Sequence, residues 1–166
     1  MNHYGYGASR GKSKLLPQVQ ALANLTRELA QCCIAKESEI FGRFGLSAGE
    51  GNVLLAAAEG ISSPSALAER LGVVRSRITP LVQSLVVKGF LERAESASDR
   101  RVRNLQLTSG GRQVAMDADK RRLEFHRRLL EQFNEHERQK LIGTLSHLQE
   151  HMTDIRKNMK QEFERN

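Results

Sequence analysis

One glycine between two short runs of helical periodicity constrains this chain more than any other feature. Residues 63–90 read SPSALAERLGVVRSRITPLVQSLVVKGF. Ser63 opens the first run as a helix cap with Pro64 at the first helical position, where its missing N–H costs nothing. Leu71-Gly72-Val73 is a tight turn, and a second helix follows from about Arg75 to Lys88, stopped by Gly89. Two short helices joined in this way form a helix-turn-helix. Ala68 is small where the helices must approach, and Leu67, Leu71, Ile78, Leu81, Val82 and Leu85 supply an apolar seam. The opposite face of the second helix carries Ser76, Arg77, Thr79, Pro80, Gln83 and Ser84, with Arg75 at its start. Hydroxyl, amide and guanidinium groups are what base edges and phosphates require, and a helix N-terminus adds its own positive end. Ser63 and Ser65, at the start of the leading helix, join the candidate contacts. An ordinary solvated pair of amphipathic helices is the competing explanation.

The next segment shifts the balance. Leu91 to Ala94 and Val102 to Leu107 alternate as two strands, and the polar stretch from Glu95 to Arg101 joins them as a hairpin. Its tip reads Ser98-Asp99-Arg100-Arg101-Val102-Arg103, placing Arg100, Arg101 and Arg103 within four positions. An arginine-tipped ribbon beside a helix-turn-helix is a wing, and arginine there suits a narrow minor groove. Asp99 reaches Arg101, and a carboxylate can hold a guanidinium in one orientation through paired hydrogen bonds. The plainer alternative is a charged turn with an incidental ion pair of little energetic consequence.

With these residues in place the chain resembles the MarR family, the multiple-antibiotic-resistance type of bacterial regulator. Leu67-Ala68-Glu69-Arg70-Leu71-Gly72 and Leu85 through Lys88-Gly89-Phe90-Leu91-Glu92-Arg93 carry the resemblance. Asp99-Arg100-Arg101 followed by Leu105-Gln106-Leu107-Thr108-Ser109-Gly110-Gly111 closes it. The resemblance covers about residues 47–115 in motif and the whole chain in helix order. It implies a dimer built from the first, fifth and sixth helices, with recognition helices in successive major grooves. It further implies Arg101 in the minor groove, Asp99 as its holder, and a small-molecule pocket between dimer body and DNA-binding lobe. Two departures stand out. Val74 occupies a position where the family often has a Ser or Thr cap. Pro80 lies inside the recognition helix, where a missing backbone donor predicts a kink or a start delayed to Thr79.

The flanks are helical. Leu15, Val19, Leu22, Leu29, Cys33, Ile40, Phe41 and Phe44 recur at helical spacing, with Pro17 in a first turn. Ser47 with Glu50, and Asn134 with Glu137, are capping boxes, and Thr108 caps a long fifth helix. Along the last helix Leu141, Leu145, Leu148, Met152, Ile155, Met159 and Phe163 alternate at four and three residues, a seam suited to a partner helix. Packing of that seam on the first helix of the same chain is the alternative.

Composition sets the outer limits. The 166 residues are 39% hydrophobic and 5% aromatic, with no Trp, a lean core for the length. The net charge of +7 suits a polyanionic partner. No apolar run reaches the roughly 20 residues of a membrane span, and the start lacks a secretory pattern, so a cytoplasmic location without a membrane is expected. The only cysteines, Cys32 and Cys33, are adjacent, which excludes a disulfide framework. Cys33 falls in the apolar series as a small core residue. Cys32 is the candidate redox residue, with Arg27 and Lys36 as flanking cations. His147 and His151 have a zinc-compatible spacing but no evident third ligand, so neither a metal nor a cofactor is expected.

These features predict a mainly α fold with a small β-wing: a winged helix-turn-helix with long N- and C-terminal dimerisation helices. A flexible basic arm at 1–13 precedes a single domain at 14–166. Its DNA-binding lobe spans about 47–110 and its dimerisation helices about 14–45 and 111–164. The expected activity is that of a sequence-specific double-stranded DNA-binding regulator, a homodimeric repressor on a near-palindromic operator released by a small-molecule effector. A redox-sensing regulator acting through Cys32 and a winged-helix protein-interaction module are the alternatives. Catalysis is not expected, because nothing around the cysteines resembles an activated nucleophile and no phosphate loop or acid pair is present.

Overall fold

The computed structural model describes residues 10–95 and 103–165, with side chains at 15–93, 104–159 and 161–163. The element order is α1 (Arg10–Gly42), α2 (Ala48–Ala58), α3 (Pro64–Leu71), α4 (Arg75–Val87), β1 (Leu91–Glu95), β2 (Arg103–Leu107), α5 (Ser109–Leu130) and α6 (Glu135–Arg165). This is the expected winged helix-turn-helix. The chain divides into two compact units, Met1–Arg121 and Arg122–Asn166.

Local chemistry sets most boundaries of the first unit. At α2 both halves of the capping box form. The Ser47 N–H donates to Glu50 Oε2 at 2.7 Å, and the Glu50 N–H donates to Ser47 Oγ at 3.3 Å. Ser63 Oγ accepts from the Ala66 N–H and Pro64 takes the first turn of α3. Gly72 ends α3 at φ 65°, a left-handed conformation that a side chain resists. The core then gathers Phe41, Leu46, Val53, Leu54, Leu67, Ile78, Val82 and Leu85 with Leu91 and Leu105 from the strands and Ala115 and Ala118 from α5.

The strands pair antiparallel from Leu91↔Leu107 to Glu95↔Arg103. A third segment ties the wing to the helices: the Leu105 N–H donates to the Ser62 carbonyl at 2.8 Å. Thr108 Oγ1 donates to the Gly89 carbonyl and accepts from the Gly111 N–H, so the expected cap of α5 is also a strut to the end of α4. At Gly111 a Cβ would lie 2.0 Å from the Phe90 carbonyl oxygen, so no larger residue fits this approach.

Within the second unit, Asn134 and Glu137 form the reciprocal capping box of α6, at 2.9 and 3.0 Å. Glu124 accepts from Arg127 and Arg128, which hold its carboxyl at about 2, below the ordinary carboxylate range. Arg127 also pairs with Glu131. Such i,i+3 and i,i+4 pairs line a solvated helix face.

Five expectations need correction. Pro17 is not in a first turn, because α1 begins at Arg10 and runs through it. Residues 10–13, assigned to the arm, extend the helix, since adding residues to a formed helix is cheap compared with nucleating one; residues 1–9 of the arm lie outside the described residues. Nor does Pro80 delay α4, which is helical from Arg75 onward; only the hydrogen bond to the carbonyl four residues earlier is forfeited. Cys33 is exposed like Cys32 rather than part of the core. The reason is that every side chain from Leu15 to Ala35 except Thr26 is exposed, apolar ones included. Ser84, assigned to the outward face of the recognition helix, turns inward to Glu50.

No described helix is long and apolar enough to cross a membrane.

Candidate nucleic-acid interface

The turn at Gly72 presents the start of α4 with its polar groups uncovered. Val74 is the N-cap residue and offers no side-chain cap, so the first amides of α4 are left to solvent or a ligand. Arg75, Ser76, Arg77 and Thr79 are all exposed. Among the described residues neither Arg75 nor Arg77 has an ion-pair partner, whereas nearby cations do. Arg70 is taken by Glu59 at 2.9 Å and Lys88 by Glu50 at 2.7 Å. A helix start with two unpaired guanidiniums and open N–H groups is an anion-binding end.

The other candidates divide. Ser65 is exposed on the first turn of α3, while Ser63 is half-buried and its oxygen already caps that helix. Thr79 Oγ1 makes only a long bond, 3.4 Å, to the Arg75 carbonyl. Gln83 is exposed, but its Oε1 accepts from Arg93 Nη2 at 3.0 Å, which joins α4 to the base of the wing. Arg93 also lines a cleft of about 170 Å³ together with Pro64, Thr79, Val82 and Leu105. Arg103 is placed in β2, although its side chain is not among those described. Asp99, Arg100 and Arg101 lie outside the described residues.

Two features of this face were not evident from local sequence. Arg93 is one. The alternation that buries Leu91, with Leu105 directly opposite Arg93 in register, turns that arginine toward α4. An arginine at an inward strand position was the available signal. The second is a polar hub under α4. Glu50 is buried, yet Oε1 accepts from Lys88 Nζ at 2.7 Å and from Ser84 Oγ at 2.6 Å, while Oε2 accepts from Ser47. Burial alone would raise the Glu50 pKa, but these donors outweigh it and hold the carboxyl at about 2. Lys88 Nζ also donates to the Gly45 carbonyl at 2.9 Å, so the end of α4 is locked to the α1–α2 junction. The signal for this hub was a capping glutamate facing a helix with a terminal lysine.

Elsewhere, Cys32 sits exposed on α1. His147 and His151 stack edge-on with centroids 6.5 Å apart on α6.

Comparison with known proteins places this geometry. The model of the MarR family matches residues 44–102. The HTH-type transcriptional regulator PecS of Dickeya dadantii (strain 3937) is 29% identical over 122 residues, 71% of this chain and 74% of PecS. The HTH-type transcriptional regulator PapX of Escherichia coli is 32% identical over 77 residues, 45% of this chain and about half of PapX, 47%. Among solved structures, Streptococcus pneumoniae FabT in complex with DNA superposes with a TM-score of 0.73 at 23% identity, over 83% of this chain and 99% of that one. The matched segment holds both helices of the helix-turn-helix and the first strand of the wing, and over that segment the chain is similar to the MarR family of regulators.

Proposed function

We propose that the chain is a sequence-specific double-stranded DNA-binding transcription regulator that acts as a homodimer. The observation that carries this is the start of α4, where Ser76, Thr79 and, without ion-pair partners among the described residues, Arg75 and Arg77 stand exposed beside a helix start with no side-chain cap. Residues 61–110 contain eight Lys and Arg against four Asp and Glu, a surplus that favours phosphates. In this reading α4 enters the major groove, and Arg100, Arg101 and Arg103 of the wing meet the minor groove and backbone, with Asp99 orienting Arg101. The dimer is supported by the apolar residues that α1 and α6 leave exposed, among them Leu22, Leu29, Leu145, Ile155 and Phe163. Repression, relieved by a small-molecule effector, is the mode of action that similarity to the family supports.

Footprinting on a selected duplex tests the proposal. Two symmetric protected half-sites, about 34–36 Å apart, are expected for a two-fold dimer. Arg77→Ala should relax base preference at one symmetric position and cost on the order of 1–3 kcal/mol per site. Arg101→Ala should instead weaken binding to every duplex alike. A single unsymmetric footprint, or none, overturns the reading.

A further inference from the structure

Gln83 is the one amide on the outward face of α4, and an amide is ambiguous: one end accepts, the other donates. A free glutamine favours adenine, because its oxygen takes the N6 amino proton while its NH2 group donates to N7. Here the ambiguity is removed. Arginine has only donors, so the contact with Arg93 Nη2 at 3.0 Å fixes the amide with Oε1 toward the wing. Among the described residues the Nε2 group has no partner, and it is the end of Gln83 directed away from the wing.

We infer that Arg93 is a specificity-positioning residue that turns the donor end of Gln83 to the major groove, selecting a keto base, guanine or thymine, over adenine. The inference rests on the DNA-binding reading above and adds a base class to it. Guanine O6 and N7 and thymine O4 accept a proton from an NH2 group; adenine accepts one at N7 alone, beside its own N6 donor, and cytosine N4 presents a donor. The bidentate clamp on adenine needs both ends of the amide in the plane of the base edge. Arg93 occupies one of the two lone pairs of Oε1 and turns that end of the amide toward the wing, away from the base edge. It can do so because β1 turns it to the same face as Leu91, where it lines one cleft together with Thr79 and Val82 of α4. The strand at the base of the wing thus adjusts what the recognition helix reads without touching a base itself.

The test uses the full-length protein and four duplexes that differ only at the position whose preference is lost in Gln83→Ala. Wild type should bind the guanine or thymine duplex about tenfold more tightly than the adenine duplex. Arg93→Met, which keeps an apolar stem and removes the donors, should reverse that order in favour of adenine. Arg93→Lys, which keeps a donor, should retain the keto preference. Adding Arg93→Met to Gln83→Ala should leave the four affinities in the ratio that Gln83→Ala alone shows. If Arg93→Met lowers all four equally, Arg93 is merely a backbone contact or a strut of the wing, and the inference fails. It fails equally if wild type prefers adenine, or if Gln83→Ala changes preference at no position while other positions keep theirs. Wild-type binding with no sequence preference anywhere would defeat the DNA-reading proposal itself, a result distinct from the other three.

Discussion

The helix-turn-helix lobe and the helix α6 contain similar apolar residues and treat them in opposite ways. In the lobe Val53, Leu54, Leu67, Ile78 and Leu85 have no exposed surface. On α6 Leu145, Met152, Ile155, Met159 and Phe163 remain 46 to 77% exposed. Burying a Leu, Ile or Met side chain contributes roughly 1.5–3 kcal/mol, so the lobe has collected this energy within one chain and the α6 seam has not. The contrast teaches where self-sufficiency ends. A lobe that must hold a recognition helix steady is closed and cross-braced by Glu50, Lys88 and Thr108. The seam is left for a second copy of the chain under the dimer proposal, and the exposed stripe of α1 from Leu15 to Ile34 has the same character.

The largest effect should come from breaking the seam. Leu148→Glu with Ile155→Glu places unpaired charge in it, so the dimer should dissociate or the protein should unfold. A folded variant of unchanged mass by light scattering removes the dimer from the account. In the lobe a single truncation is enough: Leu67→Ala should cost about 2–5 kcal/mol, read from chemical denaturation, because its site is closed on every side. An equal truncation at exposed Ile142 should cost far less. If the two losses match, the contrast between the regions is wrong.

Next in size is the carboxylate hub. The Glu50 pKa is lowered from 4.5 to about 2 on folding, so its contribution is full above about pH 4.5. It is lost as pH falls through 4.5 toward 2, because the unfolded state then binds the extra proton. The contribution is about 3 kcal/mol at most. Glu50→Gln should remove most of it at pH 7 and flatten the acid limb of the stability profile. An unchanged acid limb contradicts the hub's role. Smallest are the caps. Ser47→Ala and Asn134→Ala should each cost about 1 kcal/mol, measurable as shifts in thermal midpoint. The Ser47 change should be the larger, because its partner Glu50 also braces α4.

Legibility in the sequence followed the range of the interaction. Ser47 with Glu50, Asn134 with Glu137, and the stops at Gly72 and Gly89 act within a few residues, so their spacing alone located the helix ends. The apolar seam of α3 and α4 was readable for the same reason. What escaped depends on partners far along the chain. Ser84 reaches Glu50 across 34 positions and Arg93 reaches Gln83 across ten, and no periodicity encodes either pairing. Pro17 and Pro80 misled because each deletes one backbone bond while its neighbours keep theirs, a local penalty that a long or well-packed helix absorbs. Cys33 misled because apolar periodicity marks a face that wants burial without saying that its own chain supplies the cover.

The proposed function has the start of α4 and the arginines of the wing meet duplex DNA. Titration of the full-length protein against a selected duplex and its scrambled counterpart, each at two salt concentrations, tests it most directly. The account predicts a selected duplex bound at least about a thousandfold more tightly than the scrambled one. It also predicts that both affinities fall steeply as salt rises, by nearly one logarithmic unit of slope per phosphate neutralised. An affinity indifferent to both sequence and salt would contradict it.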